Sequence, residues 1–204
     1  MRAHALSASA AVAAAIVLSA CGAGAGAGNP GRRDAGQRIP AALAREARPI
    51  GRGARFHPPA GGPVLGACRP GLGHRDAVHV ELFAANRVTL VASSIGTRPP
   101  RQWEEGRIAA AGCYGALVTL EPTGVVLIRR GARLTVADLF RSWGQPLGRQ
   151  RMASFSAHEV TAFVDGRRRN GPVGRIALRR HAEIVLEVGP YVPPHAAYLF
   201  PPGD

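Results

Sequence analysis

Two tripeptides in this 204-residue chain place an imidazole and a carboxylate two positions apart: His79-Val80-Glu81 and His181-Ala182-Glu183. Each belongs to an alternating stretch, AVHVELFA from Ala77 and AEIVLEV from Ala182, and on a β-strand residues two apart share a face. Were the two strands neighbours, two imidazoles and two carboxylates would converge, a donor set suited to zinc, copper or non-haem iron. The plainer expectation is that these residues line the wet face of a sheet and do no chemistry. The deaminase meaning of H-x-E is excluded, because no P-C-x-x-C accompanies it. His79, Glu81 and His181 are therefore the candidate ligands of an alternative, metal-binding or metalloenzyme reading, while no catalytic residue and no cofactor is assigned.

Three cysteines offer a second kind of chemistry, and their surroundings separate them. Met1 to Ala20 (residues 1–20) carries one charge, Arg2, and then a small, apolar run from Ala10 to Leu18, the pattern of a secretory signal peptide. It is too short and wrongly flanked for a membrane span. The tetrapeptide Leu18-Ser19-Ala20-Cys21 that closes it resembles the lipobox of bacterial lipoproteins. That resemblance implies cleavage before Cys21 and diacylation of its thiol, and two acyl chains are what stable attachment needs. The mature chain is then expected on the extracytoplasmic face of the cell membrane, held by a lipid anchor.

Residues 21–55 continue with GAGAGAGNPGRRDAGQR, nearly free of apolar bulk, and are read as a flexible tether, with a short helix possible over Ile39 to Arg48. Gly26, Gly28 and Gly31 match G-x-G-x-x-G by spacing alone, with no strand before them to build a dinucleotide site. Cys68 and Cys113 are left as an even pair in an oxidising compartment, most simply one disulfide; free thiols or a metal pair are the alternatives. Closing a loop of about 46 residues would stabilise the fold by roughly 4 kcal/mol.

All 26 basic residues are arginine, against 13 acidic ones, for a net charge of +13. The missing lysine excludes a Schiff-base lysine, a P-loop and an S-x-x-K dyad; G-x-S-x-G, H-E-x-x-H and C-x-x-C are absent too. No nucleic acid partner is expected, because an exported protein rarely meets one and the arginines lack interleaved aromatics. A solvated arginine surface is the plain reading of this charge, and contact with anionic lipid or an acidic cell-envelope polymer the functional one. The run Arg167-Arg168-Arg169, just after an Asp165-Gly166 turn, is the candidate contact.

These residues need elements to hold them. Alternation predicts strands over Ala77–Ala84 and Arg87–Ala92, a β-hairpin turning at Asn86, within a hairpin and loop region spanning 56–115. Trp103, in the loop from Thr97 to Gly112, is expected to lie over the core. Residues 116–204 predict strands at Ala116–Glu121 and Val125–Arg129, then a helix starting at Thr135. Thr135 and Asp138 have capping-box spacing, Gly144 suits a C-cap, and Val136, Leu139, Phe140 and Trp143 make one apolar face. Strands over Glu159–Val164, Val173–Leu178 and Ala182–Val188 follow, before a proline-rich tail expected to pack extended along the domain. This order predicts an α+β, mostly β fold: a β-grasp-like sheet with one short helix, preceded by a β-hairpin, with 56–204 as one folded unit.

The segment CYGALVTLEPTGVVLIR from Cys113 resembles the pattern C-x-x-x-L-H-T-H-D-x-T-G-x-I-H-V-E of uncharacterised bacterial secreted or membrane-anchored proteins. The likeness extends to Ser94-Ile95-Gly96, Leu139-Phe140, Trp143-Gly144, Phe163-Val164-Asp165-Gly166, His181 and Val188-Gly189. Histidine-rich relatives suggest a metal site, but Val118, Leu120 and Leu127 stand at the histidine positions and Arg129 at the acid. The resemblance thus implies the scaffold without that site. The chain is read as a lipid-anchored extracytoplasmic binding or envelope-structural module, more a binder than an enzyme.

Overall fold

The computed structural model describes residues 47–200. The segment expected as a signal peptide, Cys21, the expected tether as far as residue 46 and most of the Ile39–Arg48 segment lie outside the described residues. Twelve strands are described: β1 (Arg75–Ala84), β2 (Arg87–Val88), β3 (Thr97–Glu104), β4 (Arg107–Tyr114), β5 (Leu117–Val118), β6 (Val125–Arg129), β7 (Leu147–Gly148), β8 (Arg151–Met152), β9 (Phe155–Ser156), β10 (Thr161–Val164), β11 (Arg167–Arg169) and β12 (Glu183–Val188). The helix α1 (Val136–Trp143) lies between β6 and β7, and a 3₁₀ turn (Val173–Arg175) lies between β11 and β12.

The principal sheet runs β11-β10-β12-β1-β6-β5, with β2 paired to β1. Its two central strands, β1 and β12, are parallel, and β6 and β10 flank them antiparallel. With α1 in the connection between the two flanks, this is the β-grasp-like layout, in a mostly β fold with one short helix. Its first strand is not where the sequence order put it. The strand at Ala77, assigned to a preceding hairpin, is the centre of the sheet; its hairpin with β2 is only two residue pairs long. Residues 56–115 and 116–204 are thereby joined in one sheet, and the strand expected at Ala116–Glu121 is reduced to the edge pair β5.

Alternation sorts β1 as expected. Val78, Val80 and Leu82 face α1 and pack with Val126, Ile128, Ile184, Leu186, Leu139, Phe140 and Trp143 in the main core. The helix begins where local chemistry dictates: the Thr135 side chain accepts from the Asp138 N–H, and the Asp138 carboxylate accepts from the Thr135 N–H. Gly144 ends it at φ 81°, the left-handed conformation glycine adopts without penalty. The proline-rich segment before β1 then covers the helix end, with Gly61 N–H donating to Trp143 O (2.9 Å) and Trp143 Nε1 to Pro58 O (3.1 Å). A Cβ on Gly62 would fall 2.2 Å from Arg141 O, so no other residue fits there.

Several expectations need correction. Residues 49–55, assigned to the tether, already belong to the fold: Ile50 bridges Val88 and Gly51 N–H donates to Val88 O. Thr97–Gly112, expected as a loop, forms the long β3/β4 ribbon, in which only Thr97, Ile108 and Tyr114 are buried. Trp103 lies near its tip, 52% exposed, and covers no core. Val173–Leu178 is not a strand, because its backbone serves the helix start: Val136 N–H donates to Ile176 O and Leu178 N–H to Leu134 O. Three small strands, β7 to β9, form a meander that no sequence signal announced.

Cys68 and Cys113 are disulfide-bonded, their Cα atoms 5.4 Å apart. The linked segments are further knitted by two arginines. Arg75, 8% exposed, donates to the carbonyls of Leu72, Leu127 and Gly115, and Arg129 to those of Ala67, Tyr114 and Gly115. Burial, with Arg129 beside it, lowers the Arg75 pKa to about 10, which leaves it charged at neutral pH.

Candidate functional site

The parallel register of β1 and β12 decides what the two H-x-E tripeptides can do. It sets His79 opposite Glu183, Glu81 opposite Val185 and Phe83 opposite Glu187, all on the face turned away from α1. His79 Nδ1 lies 2.7 Å from Glu183 Oε2, and its other nitrogen, Nε2, donates to the Thr123 carbonyl at 2.9 Å. Gly124 makes that contact possible: at φ +85° it brings the turn so near that a Cβ would lie 3.0 Å from His79 Nε2 and 2.6 Å from Val80 O. Glu183 is 1% exposed, and among the described residues its Oε1 has no hydrogen-bond partner.

Burial disfavours the His79 imidazolium, but the hydrogen bond and charge of Glu183 outweigh it, and the His79 pKa is raised. Burial raises Glu183 as well, against the opposing bond to His79. Both shifts run upward, so the pair holds the proton between Nδ1 and Oε2 more tightly than either group would in water. Farther along β12, Glu187 is raised by burial too; its Oε2 accepts from Val192 N–H at 3.4 Å and its Oε1 is unpartnered.

The face expected to be wet is roofed by the C-terminal segment. Tyr198 stacks on His79 at 3.8 Å between centroids, and His195 Nδ1 donates to both Glu81 oxygens at 2.8 and 3.0 Å. Val192 packs with Phe83, Phe163 and Val185, so the tail lies extended over the sheet. His181 does not join the group. It occupies a turn just before β12 at φ 60°, and its ring stacks on Phe200 at 4.8 Å. The three residues that do converge are His79, Glu81 and Glu183, each with a ligand atom within 4.8 Å of the others. The positions that the histidine-rich pattern would fill, Val118, Leu120 and Leu127, are buried in a separate apolar cluster with Ile108 and Tyr114.

A second feature lies where β11 forms the sheet edge. Asp165 and Gly166 both have positive φ, the type I′ geometry that a two-residue hairpin favours, and Asp165 Oδ1 accepts from Glu183 N–H. The turn sets Arg167, Arg168 and Arg169 along an open groove of about 800 Å³, whose other wall carries Arg175, Arg179 and Arg180. Asp165 is the one carboxylate among the described lining residues. Arg168 reaches Glu159 at 3.7 Å and Arg180 reaches Asp76 at 3.9 Å, both long, solvent-accessible ion pairs.

Sequence reasoning found the run 167–169 but not its partners across the groove, nor His195, Glu187 and Tyr198 on the roofed face. The alternation of Glu183, Val185 and Glu187 marked one face of β12. What it lacked was the register against β1, fixed by pairing residues 104 apart. No family model, curated protein or solved structure matches the chain.

Proposed function

We propose that this protein is a lipid-tethered, extracytoplasmic binding module that holds phosphate-bearing headgroups of its own membrane in the arginine groove. The observation that carries this is one groove lined by six arginines and a single carboxylate. Guanidinium groups present paired donors that match phosphate oxygens, and their charge persists at any physiological pH. Arginine on an edge strand also blocks edge-to-edge pairing, which accounts for β11 but not for Arg175, Arg179 and Arg180 on the opposite wall. The lipobox-like Leu18–Cys21 and the Cys68–Cys113 disulfide fit an exported, anchored chain. Among the described residues no helix is long and apolar enough to cross a membrane, consistent with attachment through Cys21.

The test is co-sedimentation of a Cys21→Ser chain, which carries no acyl group, with vesicles. Binding to phosphatidylglycerol vesicles at low salt, weakened by high salt and absent on phosphatidylcholine, is the expected result. Each arginine near an anionic surface contributes about 1 kcal/mol, so replacing Arg167, Arg168 and Arg169 by glutamine should weaken binding roughly 100-fold. Equal binding by that variant, or equal binding to both vesicle types, would overturn the proposal. Direct binding of soluble polyphosphate with no vesicle binding would move the ligand from headgroup to envelope polymer.

A further inference from the structure

We infer that His79, Glu81 and Glu183 bind one divalent transition-metal ion, of the zinc type, with His195 orienting Glu81 from the C-terminal segment. The site is built from both ends of the fold: β1 supplies His79 and Glu81, β12 supplies Glu183, and the C-terminal segment brings His195 over them. The three strand-borne ligand atoms already lie within 4.8 Å of one another, and His195 Nδ1 donates to Glu81 Oε2 at 2.8 Å.

Four features favour an ion over a merely structural His–Glu pair. His79 commits Nε2–H to the Thr123 carbonyl and turns Nδ1 to the carboxylates, the arrangement by which metal-binding histidines are fixed in tautomer and orientation. Glu183 is buried with Oε1 unsatisfied, a costly state for a carboxylate and one that a coordinated cation relieves. A small cavity of about 60 Å³, lined by His79, Glu81 and Thr123 together with apolar residues such as Val80 and Leu82, adjoins two of the three ligands, with room for a water beside them. Finally, a chain with twice as many arginines as acids gathers Glu81, Glu183 and Glu187 on one covered face. Two carboxylates with one neutral imidazole balance a divalent charge. Imidazole selects against calcium and magnesium, which take all-oxygen shells, and suits zinc.

The tail then acts as the closing side of the site, because the residues that cap Glu81 and His79, His195 and Tyr198, both belong to it. The experiment is a titration of untagged, chelator-stripped full-length chain with Zn²⁺ against a chromophoric competitor. One ion per chain is expected, with affinity lowered at least about 10-fold by Glu81→Gln and by Glu183→Gln, and unchanged by His181→Ala. Zn²⁺ should also slow carboxypeptidase digestion of the tail in the unaltered chain, and His195→Ala should abolish that protection. Glu81 is part-exposed, so Glu81→Gln keeps the test decisive if Glu183→Gln fails to fold. Absence of stoichiometric zinc, or affinity unaltered in a folded Glu81→Gln protein, would overturn the site. Zinc binding that survives His195→Ala with tail protection intact would remove His195 from it.

Discussion

Glu187 is the residue where burial and chemistry conflict most openly. It is 3% exposed, one carboxylate oxygen is unpartnered and the other has a single long bond from Val192. Burial raises its pKa above 4.5, as it does for Glu183, while Glu183 raises His79 above 6.5. The sign follows from proton binding. The folded state holds protons that the unfolded chain has released, so these groups contribute stability that is fully present below the ordinary values and is lost as pH rises through the folded ones. Stability from urea denaturation should therefore fall as pH rises, starting near 4.5 for the two glutamates and near 6.5 for His79. Glu187→Gln removes the buried charge while keeping the shape, and should raise stability at neutral pH by about 1 kcal/mol and flatten the lower part of that profile. A less stable Glu187→Gln protein at neutral pH would mean that the carboxylate has a partner of its own.

Helix α1 shows which elements a sequence can announce. Its cap, its stop and its apolar face all reside within ten residues, from Thr135 to Gly144, and each was legible because the interactions that define them are local. Thr135→Ala removes the side-chain acceptor for Asp138 N–H and should cost about 1 kcal/mol, measured as a lowered urea midpoint at unchanged slope. The Asp165-Gly166 hairpin was legible for the same reason. What was not legible is register over long separations. Nothing within AVHVELFA says that it pairs with residues 125–129 on one side and 183–188 on the other. Hence sequence order reads AVHVELFA as half of a preceding hairpin and starts the β-grasp sheet one strand too late, and the H-x-E spacing points to His181 where the register supplies Glu183. Pro99 and Pro100 sit where the β3/β4 pairing slips, between Arg98 opposite Cys113 and Arg101 opposite Ala111, so the strand accommodates them.

At the scale of the whole molecule, the sheet is covered on two faces by unlike layers. One is α1, whose Leu139, Phe140 and Trp143 are at most 1% exposed. The other is largely a segment without regular structure, residues 189–200, that presents Val192, His195, Tyr198 and Phe200 in turn to Phe163, Glu81, His79 and His181. Prolines at 190, 193 and 194 suit such a strap, since a chain already stiff and extended loses less entropy on docking. A chain ending at Gly189 should consequently fold around its helix-side core and yet lose the burial of Val192 and the aromatic stacking, about 2–4 kcal/mol together. Its exposed Phe83, Phe163 and Val185 would bind a hydrophobic dye that the intact protein excludes. Groove binding offers the internal control: Arg167 to Arg169 and Arg175 to Arg180 belong to other elements, so anionic vesicles should still capture the truncated chain. If truncation left the urea midpoint unchanged and dye binding absent, the tail would be an ornament on the sheet; if it abolished vesicle binding as well, the groove and the roofed face would be one cooperative unit.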